Sequence, residues 1–487
     1  MKGRFFKTIC GVICTALLCI PALTACDGGR DGPVDPGGDN GWWETMGELQ
    51  KDENGDVIFK NVQVKLSTVV AGVDRTAFEQ SVAQFNLEYI GKINIIPTSI
   101  GEGSYETTVA QQIRNNSNAP DLIMSHMKSH RSFADNHLIQ PFDEAMEKSG
   151  IEIDLKQYAD GLAAYSNLGY EDNLFSIPID AQSTVILYNK AMLEECGQSL
   201  PTNHAELLDV CEAVAEQKGI TPIAWNVAHE YFSRYTFPTA IIQNGGHLYD
   251  TETFKADWYD DEDNRKVFED VIASIRAMGE SQPAIASLTM DDTTALNNFL
   301  NNRALFYFDV PWNLNDVIDA YASTNHIADS DTVIADYIGG TSIANWFALD
   351  PEEPNASKIL GDSHFFALSS TVEDINVKAA CLEFIKWFTQ TASVGADWAE
   401  AGHISASKII SADEEYTENL FVTNYIDKFY PSIDDFTCIG LTPYYADMTT
   451  SLTTLFSTAI NGTPANVANI IKTQQDNLNG IIDFVNM

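Results

Sequence analysis

Between Val62 and Met124 the hydrophobic pattern switches repeatedly between a period of two and a period of 3.6. Val62-Gln-Val-Lys-Leu-Ser-Thr-Val-Val70 alternates and is β-branched, which predicts a strand. A turn-like Ala71–Asp74 follows, and then Phe78, Val82, Phe85 and Tyr89 recur at helical spacing. Lys92–Pro97 predicts a second strand, Tyr105–Asn116 a second helix, and Pro120–Met124 a short buried strand. Such a β-α-β-α-β rhythm points to a mainly parallel sheet covered by helices. Farther along, Val267, Phe268, Val271, Ile272, Ile275 and Met278 mark one buried helix face, and Val377, Ala380, Cys381, Phe384, Ile385 and Phe388 another. No internal repeat interrupts this organisation.

The amino terminus belongs to a different regime. Lys2, Arg4 and Lys7 precede an apolar run from Ile9 to Ala22, the layout of a secretory signal and too short to span a bilayer comfortably. The following Leu23-Thr24-Ala25-Cys26 resembles a bacterial lipobox. That resemblance implies cleavage after residue 25 and a lipid on Cys26. Residues 26–57 begin rich in Gly, Pro and Asp with little to bury, and are expected to form a flexible tether. Trp42 and Trp43 interrupt it; the sequence leaves open whether they dock on the folded part or sit at the lipid interface. Roughly 430 residues remain, too many for one ordinary core, so two lobes are expected.

The net charge of −41 argues against nucleic acid as a partner and disfavours a polyanionic ligand. Loss of residues 1–25 removes three cations and no acids, taking it from −41 to −44. Solubility at a crowded cell surface accounts for such a charge. Cys196, Cys211, Cys381 and Cys438 are far apart and lack metal spacing. Pairing of Cys196 with Cys211 in an oxidising compartment is left open.

Motifs for catalysis are absent. His229-Glu230 lacks a second histidine at zinc spacing, Gly101-Glu-Gly103 lacks the third glycine of a dinucleotide loop, and neither a phosphate-binding loop nor a Gly-x-Ser-x-Gly elbow occurs. Asp52, Asn54 and Asp56 start like a calcium loop, but Val57 replaces the required glycine and Gln63 the terminal acid. The expectation is a protein with no catalytic residue, metal or cofactor.

Five segments, in order, resemble the sugar-binding family of extracellular solute-binding proteins of bacterial ABC importers, which includes maltose-binding protein. They are Ala119-Pro-Asp-Leu122; Leu138-Ile-Gln-Pro-Phe-Asp-Glu144; Asn173–Pro178 followed by Val185–Lys190; Pro201–Leu208, where Asn203 and Glu206 suit a helix start; and Phe299–Phe306 with Val310-Pro311-Trp312. Asn302 and Val310 depart from the glycines usual in that family. The resemblance implies an α/β fold of two lobes with a hinge and an interlobe cleft. Residues 58–180 and 366–412 would form lobe 1, and residues 181–365 and 413–487 lobe 2. It implies a monomer, lipid-anchored on the extracytoplasmic face of the membrane, that captures a carbohydrate and delivers it to permease subunits. Aromatic faces and polar hydroxyl-binding groups would come from Asp74, His126, Asp180, Gln182, Glu230, Tyr231, Trp312 and Tyr444. Trp225, Trp346, Trp398 and His403 are weaker candidates. A surface polysaccharide-degrading enzyme, and a same-fold binder or sensor for another solute, are the competing readings.

Overall fold

The structure, a computed structural model, describes residues 42–170 and 173–485. The signal segment and Cys26 lie outside them. Fourteen strands occur among the described residues. Along the chain they are β1 (Val62–Thr68), β2 (Ile93–Ser99), β3 (Leu122–His126), β4 (Ile139–Gln140), β5 (Ser176–Pro178), β6 (Asp180–Ala181) and β7 (Val185–Asn189). There follow β8 (Ile223–Ala224), β9 (Phe306–Asp309), β10 (Ile338–Thr341), β11 (Ile359–Gly361), β12 (His364–Ser369), β13 (Ile404–Ser405) and β14 (Phe436–Cys438).

A six-stranded sheet has the order β2-β1-β3-β12-β4, with β5 also on β12, and a four-stranded sheet has the order β10-β7-β9-β8. In the first, β1 to β5 all run the same way and one strand opposes them. β1 runs parallel to β2 and β3, but β12 enters between β3 and β4 antiparallel to its neighbours. The reason is topological: the chain leaves this sheet after β5, builds the second sheet, and returns in the opposite direction. In the second sheet β7 lies antiparallel to both β9 and β10. Two small ladders, β6 with β13 and β11 with β14, lie outside the two sheets, and the bridge between Gln182 and Asp362 runs alongside them.

The early periodicities become core. The helix Gly72–Glu88 buries Phe78, Val82 and Phe85. Phe78 meets Phe388, and Phe85 meets Phe384, both on the returning helix Ile375–Gln390. The helix His204–Lys218 starts as its sequence suggests: Asn203 accepts the Glu206 N–H at 3.0 Å, while the Glu206 carboxylate accepts from Thr202.

Part of the expected tether is docked instead. Trp42 donates its indole N–H to the Ile139 carbonyl at 2.9 Å and packs against Trp43, His137 and Phe175. Lys378 reaches the Glu44 carbonyl, Thr45 Oγ1 and Gln140 Oε1 at 2.6–2.9 Å. Bulky aromatic surface and a buried cation give the stretch after Gly41 what the Gly/Pro-rich stretch before it lacks. In the calcium-like loop Asp52 Oδ1 accepts the N–H groups of Asn54 and Asp56. Cys196, Cys211, Cys381 and Cys438 are all free and buried.

Candidate ligand-binding cleft

The site is built on Asp180, which β6 places at zero exposure behind the cleft. Its Oδ1 accepts the His364 backbone N–H at 2.8 Å. Its Oδ2 accepts from His364 Nδ1 and Trp398 Nε1, both at 2.8 Å. His403 stacks on Trp398 at 4.3 Å, with Nδ1 3.2 Å from Asp180 and Nε2 3.4 Å from Asp74. Neither nitrogen is aligned for a hydrogen bond, so the attraction is between charges. Burial opposes charging His403, but the carboxylates of Asp74 and Asp180 outweigh it and raise its pKa to about 10. Burial likewise opposes ionisation of Asp180, yet His364 and His403 hold its carboxyl well below the usual range. Asp180, His364 and His403 offer three ligand atoms within 4.8 Å of one another. Three N–H donors hold this carboxylate in place.

In front of this floor lies a cavity of about 190 Å³. Asp74, Glu102, His126, Gln182 and His364 line it, together with Tyr231, Arg234, Tyr235 and Trp312. The last four owe their aim to local backbone. Phe232–Thr236 is a π-helical turn, wider than an α-helical one, which re-aims the side chains around it. Trp312 follows Pro311 in a short 3-10 turn, and its ring meets Tyr231 edge-on at 5.2 Å. Gln182 Nε2 lies 3.2 Å from His126 Nδ1, and His126 stacks on His364 at 4.6 Å. Burial, then the charges of Lys128, His364 and Arg234, push the His126 pKa well below its ordinary value. One buried oxygen of Asp74 has no hydrogen-bond partner.

Two further cavities adjoin. One of about 230 Å³ shares Tyr231 and includes Trp225, Asn226, His229, Asp292 and Asp309. The other, about 760 Å³, shares Glu102 and Arg234 and includes Lys128, Ser129, Glu230, Tyr445 and Thr449.

Of the eight residues expected from sequence, Asp74, His126, Gln182, Tyr231 and Trp312 meet at the central cavity, and Glu230 lines the large one. Asp180 is a correction. It lines no part of the cleft, because its oxygens are consumed holding His364 and Trp398. Tyr444 precedes the helix Tyr445–Asn461, and its neighbour Tyr445 lines the large cavity. Trp346 and Trp398 are fully buried, with indole N–H groups bonded to Pro201 and Asp180. Glu102, Arg234, Tyr235 and His364 were not singled out. Arg234 lies three residues after Tyr231, the one local hint. A buried serine–histidine arrangement exists, His130 between Ser125 at 2.9 Å and Ser176 at 2.6 Å. All three are sealed in the core, where burial lowers the His130 pKa to about 3.

The sequence matches the bacterial extracellular solute-binding protein family over residues 80–423. The chain belongs to that family. Its members bind solutes outside the cytoplasm, and no described helix is long and apolar enough to cross a membrane. The fold is the two-lobe fold of periplasmic binding proteins. The sugar-binding protein MalE of Xanthomonas citri superimposes with a TM-score of 0.69 at 14% identity, over 87% of this chain and 99% of that one. The GacH receptor of Streptomyces glaucescens gives 0.63 at 16% identity, over 86% and 98%. The cyclic alpha-maltosyl-1,6-maltose binding protein of Arthrobacter globiformis gives 0.64 at 15% identity, over 87% and 99%. Among curated protein sequences none matches significantly.

Proposed function

We propose that this solute-binding protein captures an oligosaccharide in the interlobe cleft and delivers it to the permease subunits of an ABC importer, held at the membrane by lipid on Cys26. The observation that carries this reading is the continuity of the three cavities. They adjoin through Tyr231 on one side and through Glu102 and Arg234 on the other. A groove of that extent suits a chain of sugar units better than a single one. Tyr231, Tyr235, Trp312 and Tyr445 offer flat apolar faces for the C–H surfaces of pyranose rings. Asp74, Gln182, Asn226 and Asp309 offer partners for hydroxyls. The similar GacH receptor was crystallised with acarbose, and a cyclo/maltodextrin-binding protein of the same fold with maltotetraose.

Calorimetry of the mature protein against an oligosaccharide panel tests this, with product analysis of each mixture. Binding without turnover is expected. Reproducible hydrolysis after repurification would favour the enzyme reading, and no binding to any member would remove carbohydrate as the solute. Mass analysis of the amino-terminal peptide checks the lipid on Cys26.

A further inference from the structure

The cleft contains an anion of its own. Glu102 stands in the short turn Glu102–Ser104, which follows β2, and its side chain is about half-exposed. Its Oε1 lies 2.9 Å from Lys128 Nζ, 3.6 Å from the Arg234 guanidinium and 3.8 Å from His126 Nε2. Lys128 belongs to the part of the chain that builds the six-stranded sheet, Arg234 to the part that builds the four-stranded one. The two cations are nearly buried, with side chains 10% and 17% exposed. Cations taken from water need close partners. Among the described residues Glu102 is the sole acid within 4 Å of either, while the buried Asp362 carboxylate acts on both cations from farther away. Lys128 commits one of its three donors to it and places its ammonium over the Tyr445 ring. The Arg234 guanidinium makes no hydrogen bond among the described residues and lies 5.9 Å from the Tyr235 ring centre, so its planar fork of N–H groups is unmatched at the junction of two cavities.

We propose that the ligand is an acidic oligosaccharide whose hexuronate carboxylate takes the place Glu102 occupies between Lys128 and Arg234. The proposal rests on the carbohydrate reading and narrows it. A guanidinium fork matches a carboxylate through two parallel hydrogen bonds, whereas a sugar hydroxyl engages it singly and without charge. A carboxylate contacting both cations joins the two sides of the cleft. Burial opposes ionisation of Glu102, but Lys128 and Arg234 hold its pKa low, so an anionic group is stable at this point. The net charge of −41 repels polyanions at a distance. The cation pair reverses that preference locally for one carboxylate.

Titration calorimetry with uronate-bearing oligosaccharides and their carboxyl-reduced counterparts tests the assignment on the mature protein. The acidic member of each matched pair is expected to bind about tenfold tighter or more. Glu102→Gln removes the competing carboxylate from a half-exposed turn. It should strengthen binding of the acidic member and leave the neutral one unchanged. Arg234→Lys keeps the charge, loses the fork and should erase most of the preference. Equal or tighter binding of the carboxyl-reduced sugars overturns the inference and leaves the carbohydrate reading standing. A sulfated oligosaccharide that outbinds every uronate overturns the carboxylate assignment. Failure of both panels overturns the carbohydrate reading and this inference with it.

Discussion

Trp312 lies partly exposed in the cavity wall, edge-on to Tyr231. As a stacking platform it contributes to binding more than to folding. Trp312→Ala is expected to lower sugar affinity by about 2 kcal/mol, roughly thirtyfold. The denaturation midpoint should stay near that of the native protein. A core tryptophan would instead lose ~3–5 kcal/mol of stability, so a collapsed midpoint would remove Trp312 from the site. His403 makes the complementary prediction. Its folded pKa of about 10 exceeds the 6.5 of a free histidine, so its stabilisation is complete below pH 6.5 and is lost as pH rises through 10. Lys378 acts with opposite sign, since burial lowers its pKa to about 8. The stability difference between wild type and His403→Gln isolates the histidine. It should shrink by a few kcal/mol, on the order expected from linkage, between pH 7 and pH 10. A pH-independent difference in urea titrations would mean that His403 is neutral. At this scale sequence reading reached side chains that resemblance could align, such as Asp74, Gln182 and Trp312. It failed for Asp180 and Arg234, because exposure and direction depend on a neighbouring strand and a π-helical turn that no local pattern announces.

Elements were more legible than sites. The strands at Val62, Ile93 and Leu122 and the helices at Gly72, Glu262 and Ile375 follow from periodicity, because each buries one face. The antiparallel entrance of β12 did not follow, since pairing across a long excursion leaves no mark in a strand's own residues. The amino-terminal strap, residues 42–58, fell within the expected tether; docking of Trp42 and Trp43 was left open, because nothing in the sequence points to Lys378, which receives Glu44 and Thr45. Lys378 donates three hydrogen bonds there. Lys378→Met should destabilise the protein by roughly 2–3 kcal/mol, the scale of lost bonds to a charged group. The strap should then exchange its amides and be cleaved faster than in wild type, with sugar affinity unchanged. Wild-type protection of the strap in that variant would show that Trp42 and the Met46 backbone pairing anchor it without Lys378.

At the level of the whole molecule, a ligand that touches both lobes favours their approach. Small-angle scattering should therefore give a smaller radius of gyration at saturating sugar, and an unchanged radius would indicate a rigid cleft. The two-lobe architecture itself was foreseeable from length, strand–helix rhythm and five motifs in order. The placement of Asp180 also has a meaning in time. This carboxylate collects His364 and Trp398 from 184 and 218 residues downstream. The sheet beside it stays split until β12 arrives between β3 and β4. Contacts so distant in sequence form late, because long loops must close before they are rewarded. The lobe begun first is thus completed only after most of the other has been made. A chain emerging amino terminus first should keep that lobe incomplete until residues beyond His403 have appeared, and the half-sheet waiting for β12 is the edge most exposed to mispairing meanwhile.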